Sequence, residues 1–233
     1  MAAKQPYRKR SKDDGEKPFW ISFSDLMTAM MVMFLVVMAV ALLAVTTPSG
    51  AHQEEIENWV KKLEDKIKVD FPDIKYQRKR NVIDFGSQAT FKYGETVFKG
   101  SAVEILKTED ALRKFVPELL DWSNSDLGKK VVKRIVVEGY TDKEGAYLFN
   151  LDLSLKRSER VLCVLLDDSV SSKLHDDHKK QVLELFLVGG YSFNNEKDSD
   201  QESRRVEMRI EFLAPKELRT QALSNVKFGK CPI

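Results

Sequence analysis

One acidic residue stands alone in a long apolar segment. Asp25 is the only charged residue between Pro18 and Gln53, and it directly precedes an uncharged run from Leu26 to Val45. A carboxylate at the centre of a membrane span raises the free energy of insertion by about 2.5–3.5 kcal/mol, so it usually pairs with another group or has a functional role. Its charge changes when it binds a proton. The alternative is an acid at the edge of the span, where the positive end of the helix dipole stabilises it.

The apolar run has the length of a membrane span. Its twenty residues would form a helix of roughly 30 Å, which matches the hydrocarbon core of a bilayer. A cleaved signal peptide has a shorter apolar region, usually of about 7–15 residues. Residues 1–18 carry six Lys or Arg, and none follows the run until Lys61. The positive-inside rule therefore predicts a cytoplasmic N-terminus and a chain that continues across the membrane.

Residues 46–75 are predicted to form a linker that contains an amphipathic helix. A polar connector at 46–53 includes Pro48 and Gly50. Apolar residues then recur at helical spacing, with charged residues between them. These apolar positions are Ile56, Trp59, Val60, Leu63 and Ile67. We expect this face to pack on the following domain or on a second copy of the chain.

Residues 76–233 alternate between strand and helix patterns. The predicted strands cover residues 81–85, 131–140, 185–188 and 206–212. Two helical patterns lie between them, at 102–122 and 151–167. This order predicts a sheet with helices packed on it. The expected fold is therefore a single N-terminal transmembrane α-helix followed by an α+β domain.

Few other residues suggest a metal site or a reactive group. Cys163 lies in a predicted helix and Cys231 in the tail, and a disulfide could join them on the oxidising side of the membrane if the fold brings them close. We expect surface loops and no metal site at 175–178 (HDDH) and at 194–202. The chain has no Walker A, G-x-S-x-G or G-x-G-x-x-G pattern, and its net charge is only +2. These features argue against an enzyme, a bound cofactor and direct binding to nucleic acid.

The segment around Asp25 resembles the B subunits of flagellar stators, the MotB-type family. Residues 19–28 read FWISFSDLMT, and in that family an aromatic-rich start leads to an aspartate in the only span. The resemblance implies that Asp25 carries the transported ion, a proton with sodium as the alternative. It also implies a dimer of this chain enclosed by five multi-pass A subunits. In this family the amphipathic segment at 54–67 could alternatively plug the channel. The PFWIS start and the DLMTAMM run further resemble the B component of the Zorya anti-phage defence system, in which the motor acts on cytoplasmic effectors indirectly.

A second pattern resembles the OmpA-like peptidoglycan-binding domain over about residues 80–213. The matching residues are Gly139, Thr141, Asp142, Gly145, Asn150, Leu153, Ser154, Arg157, Gly189, Gly190, Arg204 and Arg205. Two positions depart from the pattern, with Tyr140 where a His is usual and Ser203 where an Asn is usual. The resemblance implies a periplasmic α+β domain of the βαβαββ type.

This second resemblance implies a wall-binding site. Asp142 would hold the free ammonium of a stem peptide that contains diaminopimelate, and Arg157 would fork onto a neighbouring carboxylate. Asn150 would make hydrogen bonds at the rim of the pocket. The other implied contacts are Tyr140, Thr141, Phe149 and Leu153. The alternative is an Asp142–Arg157 salt bridge that only fixes a loop to a helix.

Together the two resemblances predict the B subunit of a proton-driven, stator-like inner-membrane motor that is anchored to peptidoglycan and acts in anti-phage defence. The expected divisions are a cytoplasmic basic tail at 1–18, a transmembrane helix at 19–45, a linker at 46–75 and an OmpA-like periplasmic domain at 76–233. A flagellar-type stator and a passive wall tether without ion transport are the alternatives.

Overall fold

The structure is a computed structural model that describes residues 16–219 and 228–232. The basic tail predicted at 1–18 therefore lies outside the described residues, apart from 16–18. The chain divides into two compact units, Met1–Ala51 and His52–Ile233. Helix α1 runs from Glu16 to Asp70 and contributes residues to both units.

In the first unit, α1 contains one candidate membrane span among the described residues. Ser22–Leu43 is 22 residues long and has a mean hydropathy of 2.7. Its described side chains are exposed in the isolated chain, as expected of a helix that is apolar on all sides and buries its surface in lipid. Length and composition thus support the predicted span, with its start at Ser22.

The polar connector predicted at 46–53 lies within the bounds of α1. Pro48 and Gly50 favour a break because Pro removes a backbone donor and Gly has low helix propensity. Neither residue forbids helical dihedral angles, however, and the helix can propagate from strongly helical sequences on both sides. The prediction of a connector outside the helix therefore differs from the structure.

The second unit begins with the amphipathic part of α1. The residues buried on its apolar face are Trp59, Val60, Leu63 and Ile67, and all four belong to the main hydrophobic core. The Trp59 indole donates a hydrogen bond to the Trp122 carbonyl at 3.1 Å and meets the Phe212 ring edge to face. The sequence offered two packing partners for this face, the following domain or a second copy of the chain. In the structure the face packs on the following domain.

Five strands form one sheet in the described part of the chain, in the order β1-β2-β5-β3-β4. They are β1 (Lys75–Gln77), β2 (Val82–Asp84), β3 (Val132–Gly139), β4 (Phe186–Gly190) and β5 (Val206–Phe212). Strands β3 and β4 are parallel, and the other neighbouring pairs are antiparallel. The four predicted strands are present. Strand β1 was not predicted, because three residues carry too little pattern.

The remaining helices are α2 (Ala102–Asn124), α3 (Gly128–Val131), α4 (Tyr147–Leu166), α5 (Asp176–Leu185) and α6 (Asp200–Ser203). Helix α4 begins one turn earlier than predicted, and this start brings Phe149 and Asn150 into its first turn. The predicted surface loop at 175–178 is instead the start of α5, with His175 as its N-cap. Asp176 and Asp177 occupy the first turn, where the helix dipole favours negative charge.

The two faces of the sheet have different chemistry. On the face covered by helices, Ile135 and Val137 of β3 lie beside Ile210 and Met208 of β5 in the hydrophobic core. The opposite face carries the buried carboxylates Asp84, Glu207 and Glu138, which lie side by side on β2, β5 and β3. This alternation follows from the two-residue period of a strand. It places charged side chains beneath the loops that hold the candidate site.

A disulfide joins Cys163 of α4 to Cys231, with the two Cα atoms 5.4 Å apart. The sequence left this pairing open, because residues separated by 68 positions can be paired only by the fold. The bridge ties the tail to the helical layer. The Phe228 ring of this tail lies 5.9 Å from the ammonium of the buried Lys179.

Leu63→Ala should lower the free energy of unfolding of the second unit by about 2–5 kcal/mol, because it leaves a cavity in the core. Val69 lies on the same helix but is 79% exposed, so Val69→Ala should change stability by no more than about 0.5 kcal/mol. Urea unfolding of the full-length protein in detergent, followed by tryptophan fluorescence, measures both effects. Equal effects would contradict the integration of this helix into the domain.

Replacing Cys163 and Cys231 together by Ser should lower the free energy of unfolding by about 2–4 kcal/mol, because the bridge restricts the unfolded chain. A thermal melt with and without dithiothreitol provides the matched control. The reductant should lower the melting temperature of the wild type and leave that of the double variant unchanged. A wild-type melting temperature that is insensitive to the reductant would argue against the bridge.

Candidate functional site

Asp25 lies about one helical turn inside the candidate span. It follows Ser22, the first residue of the span, by three positions, and it is the only ionisable residue up to Leu43. The Thr28 hydroxyl lies 3.0 and 2.8 Å from the backbone carbonyls of Ser24 and Asp25. The Asp25 carboxylate is thus the one side chain of the span whose charge changes when it binds a proton.

In the second unit, the chain turns after β3 through Thr141 and Asp142. Asp142 is only 3% exposed, and its Oδ2 lies 2.5 Å from Nη1 of Arg204. Oδ1 accepts a hydrogen bond from the backbone N–H of Glu144 at 3.3 Å. Arg204 also donates through Nε to the Phe91 carbonyl at 3.3 Å, and its side chain is 16% exposed. A carboxylate and a guanidinium therefore meet next to the loop that follows β3.

The ion-pair partner of Asp142 differs from the one weighed in the sequence. An Asp142–Arg157 salt bridge was the alternative there, whereas Arg204 makes the ion pair in the structure. Arg204 belongs to the matched pattern, but the sequence analysis assigned it no contact with Asp142, which lies 62 positions away. The available signal was its place two residues before β5, the strand that pairs with β3.

Arg157 is fully buried in α4 and is not at the surface of the predicted pocket. Its guanidinium donates three hydrogen bonds to backbone carbonyls, from Nη1 to Tyr140 at 2.8 Å, from Nη2 to Lys92 at 3.0 Å and from Nε to Glu95 at 3.0 Å. It also lies 4.9 Å from the centre of the Phe91 ring. Desolvation lowers the pKa of Arg157 to about 10, so the group remains charged at neutral pH. In the structure the Arg157 guanidinium binds backbone carbonyls, and its fork onto a ligand carboxylate stays a prediction.

The Tyr140 side chain faces the charged side of the sheet. Its buried hydroxyl donates to Oε2 of Glu138 at 2.6 Å and accepts from Nη2 of Arg80 at 3.1 Å. The guanidinium of Arg205 lies 4.4 Å from its ring centre. Burial, followed by the hydrogen bond to Glu138, raises the pKa of the Tyr140 phenol far above its usual value. Tyr140, a predicted ligand contact, therefore belongs to a network of charged side chains in the structure.

The network also includes the loop that was predicted to be solvated at 194–202. Lys197 lies 2.5 Å from Oδ2 of Asp84, and the loop ends in the short helix α6. Arg205 donates through Nε to Oε1 of Glu207 at 2.7 Å, and Arg80 reaches Oε2 of the same carboxylate at 2.8 Å. These cations neutralise the buried carboxylates of Asp84 and Glu207. The sequence of the loop alone does not indicate these pairings. Most residues of this loop are exposed, as predicted, but Lys197 reaches the charged face of the sheet.

Asn150 and Thr141 line the turn that carries Asp142. Asn150 is 1% exposed, and its Nδ2 donates to the Glu144 carbonyl at 2.9 Å. It fixes the loop from within instead of standing at a pocket rim. The Thr141 hydroxyl oxygen is buried and has no hydrogen-bond partner among the described residues. Gly145, whose φ of +97° suits glycine, completes this turn.

The two predicted apolar wall residues lie in different environments. Leu153 is 7% exposed and packs inside, whereas Phe149 is 51% exposed at the start of α4. Phe149 lies next to the loop, because a Cβ at Gly145 would be 3.6 Å from its ring. Phe149 can therefore form a wall of a surface site, whereas Leu153 is buried.

Two glycines of the matched pattern allow α4 to approach the sheet closely. A Cβ added to Gly139 would lie 1.9 Å from the Ser154 carbonyl oxygen, and one added to Gly190 would lie 2.8 Å from that of Leu151. The helix that carries Arg157 can therefore sit directly on the ends of β3 and β4. These glycines serve the geometry of the site and not the chemistry of a ligand.

No group of three or more His, Cys, Asp or Glu within the described residues could hold a metal ion. His175 and His178 have ring centroids 6.5 Å apart, and Nε2 of His178 faces Oδ1 of Asp121 at 3.3 Å.

The N-terminal segment that contains the candidate span matches a known family. Residues 4–47 match the family described as membrane MotB of the proton-channel complex MotA/MotB. Several solved structures are similar to part of this chain, with low TM-scores. They include the periplasmic domain of Helicobacter pylori MotB (18% identity, TM-score 0.38, 60% of this chain and 88% of that one) and the cell wall anchor of the Pseudomonas aeruginosa T6SS (16%, 0.35, 64% and 94%). The OmpA-like domain of Francisella tularensis FopA1 is also similar (19%, 0.36, 57% and 75%).

One curated protein is similar over almost the whole chain. Zorya protein ZorB of Escherichia coli O139:H28 is 41% identical over 231 residues, which covers 92% of this chain and 89% of that protein. The similarity includes both the candidate span with Asp25 and the domain with the Asp142–Arg204 pair. The chain therefore belongs to the ZorB family of Zorya proteins.

Proposed function

We propose that the chain is the B subunit of a proton-driven, stator-like motor that is anchored to peptidoglycan and acts in Zorya anti-phage defence. The observation that carries the proposal is a single ionisable residue, Asp25, in the one candidate span found among the described residues. The chain is 41% identical to ZorB over most of its length. The match of residues 4–47 to a membrane component of a proton-channel complex supports it.

Asp25 is the proposed ion carrier. Protonation converts its negative carboxylate to a neutral acid, and a full charge in a low-dielectric setting interacts strongly with its neighbours. Two copies of the chain would place two such acids inside a ring of five multi-pass A subunits. Protons would reach Asp25 from the periplasmic side and leave to the cytoplasm, and the changing contacts would turn the ring. The proposed role needs no catalysis and no bound cofactor.

The proposed topology is a single pass through the inner membrane with the N-terminus in the cytoplasm. Six Lys or Arg in residues 1–18 support this orientation through the positive-inside rule. The proposed divisions remain a basic tail at 1–18 and a transmembrane helix at 19–45. The burial of Trp59 and Leu63 supports assigning residues from 52 onward to the wall-binding domain, in place of a separate linker up to residue 75.

Wall binding is proposed at the Asp142–Arg204 pair. A diaminopimelate side chain ends in an ammonium and a carboxylate on one carbon, and these two charges complement the pair. The ammonium would replace Arg204 at Asp142, and the freed guanidinium would bind the ligand carboxylate. Phe149 would flank the peptide. The domain would then hold the motor dimer fixed while the A ring turns, and the ring would signal to cytoplasmic effectors.

Asp25→Asn should abolish phage protection, because Asn keeps the size and hydrogen bonding of Asp but cannot change its charge. Asp25→Glu is the matched control and should retain part of the activity. Efficiency of plaquing measures protection in cells that make the A partner, and co-purification with that partner checks assembly. Full protection by an assembled Asp25→Asn variant would refute ion transfer at Asp25 and leave a wall tether.

Asp142→Asn should weaken binding to peptidoglycan by about 10-fold or more, because it removes a charge-assisted contact worth about 1.5–3 kcal/mol. Asp152 lies nearby in sequence, on the surface of α4, where it pairs with Lys156 and is 59% exposed. Asp152→Asn should therefore bind like the wild type. Co-sedimentation of the full-length protein in detergent with purified sacculi measures both, and equal binding by all three proteins would rule out this site.

A further inference from the structure

An exposed aromatic pair lies beside the turn that carries Asp142. Tyr147, the first residue of α4, is 46% exposed. Its ring meets the ring of Phe193 edge to face, with the two centroids 5.6 Å apart. Phe193 belongs to the loop that follows β4 and is only partly buried. Because at least one face of each ring is left uncovered in an edge-to-face pair, the two rings present an apolar surface next to the proposed wall-binding site.

Two contacts fix the loop after β4 against the turn. The backbone N–H of Thr141 donates to the Ser192 carbonyl at 2.9 Å. Lys143 of the turn and Glu196 of the loop form an ion pair at 3.3 Å. The aromatic pair therefore keeps a defined position relative to Asp142, which directly follows Thr141.

The backbone of the loop is strained next to the aromatic pair. Ser192 has a φ of +53°, a left-handed conformation that is uncommon for residues other than glycine. This serine is completely buried, its backbone N–H donates to Oγ of Ser154 at 3.0 Å, and its hydroxyl lies 3.5 Å from the Tyr147 carbonyl. Strained residues of this kind cluster at ligand-binding sites. Here the strained residue directly precedes Phe193, which lies against Tyr147.

Loop packing alone does not account for the pair. Rings that only close two loops are expected to be buried, because burial is the source of their stabilising effect. Nearly half of Tyr147 is exposed instead. Lys143 and Glu196, with side chains 71% and 36% exposed, provide hydrogen-bonding groups on the same two segments. An apolar surface with a few polar groups near it suits a sugar, whose C–H face stacks on a ring while its hydroxyl and acetamido groups make hydrogen bonds.

We propose that Tyr147 and Phe193 form a sugar-binding subsite for the glycan strand of peptidoglycan. The inference rests on the proposed wall-binding function and extends it from the stem peptide to the sugar that carries this peptide. Two amino acids and a lactyl group separate the diaminopimelate from an N-acetylated sugar, and together they span roughly 10 Å when extended. Asp142 and Tyr147 are five residues apart, in a turn closed by hydrogen bonds. A stem peptide bound at Asp142 therefore carries its sugar toward the ring pair.

Two soluble ligands test this subsite, the stem tripeptide that ends in diaminopimelate and the same tripeptide attached to its disaccharide. Each ligand is titrated into the full-length protein in detergent. The wild type should bind the disaccharide ligand about three to ten times more tightly than the tripeptide, as expected of one aromatic contact. Tyr147→Ala should remove this gain and leave the affinity for the tripeptide unchanged.

Three further variants identify the ring as the cause of the gain. Tyr147→Phe keeps the ring and should keep the gain, whereas Tyr147→Leu keeps an apolar side chain without a ring and should lose it. Leu148→Ala is the matched control, because Leu148 is 74% exposed in the same helical turn. It should bind both ligands like the wild type. All these positions are exposed, so the variants should keep the fold.

The outcomes separate the two proposals. Equal binding of both ligands by the wild type would overturn the subsite, and so would a Tyr147→Leu variant that keeps the gain. A Tyr147→Ala variant that weakens both ligands by the same factor would show that the ring only supports the turn, and it would overturn the subsite as well. Wild-type protein that binds neither ligand nor sacculi would instead refute the wall-binding function on which the inference rests.

Discussion

The buried guanidinium of Arg157 imposes a constraint on the whole wall-binding domain. A charge removed from water must have its donors satisfied inside the protein, because an unpaired buried charge costs several kcal/mol. Arg157 meets this requirement with three backbone carbonyls and an aromatic ring. The segments that supply the carbonyls must therefore converge on one point of α4. The close approach allowed by Gly139 lets the helix reach that point.

The opposite face of the sheet solves a similar problem with opposite charges. Asp84, Glu207 and Glu138 lie in one row across three strands, where like charges side by side would repel. Cations from distant segments offset this repulsion, and Tyr140 bridges between them. These cations are Arg80, Lys197, Arg205 and Arg209. Buried ion pairs of this kind add little net stability, but they require particular loops to come together, including the segment directly before β5 that carries Arg204.

The two units use charge in contrasting ways. In the wall-binding domain the charges are paired, and their positions are set by many hydrogen bonds. In the span, Asp25 is the only ionisable group, and the proposed motor depends on its charge changing with each proton. A fixed anchor and a variable charge are what a stationary motor subunit needs from its two parts. ZorB-family membership is consistent with both requirements in one chain.

The sequence by itself determined the features that depend on local composition and order. Twenty uncharged residues after a single acid define a candidate span, because hydropathy and length are sufficient for that. The proposed role of Asp25 came from the resemblance to the MotB-type family and not from hydropathy. Strand and helix periodicity predicted four of the five strands among the described residues and the helices α2 and α4. The ordered pattern of Gly, Asp, Asn and Arg residues indicated the wall-binding class.

Only the tertiary structure decided which charges meet. The sequence suggested Arg157 as the partner of Asp142, but in the structure Arg157 is fully buried in α4 and the partly exposed Arg204 makes the ion pair. Tyr140 alternates to the charged face, and the loop at 194–202 folds onto the sheet. The physical reason is that ion pairs and hydrogen bonds act over a few ångströms in space. Residues 62 positions apart come within that range only when the sheet is assembled.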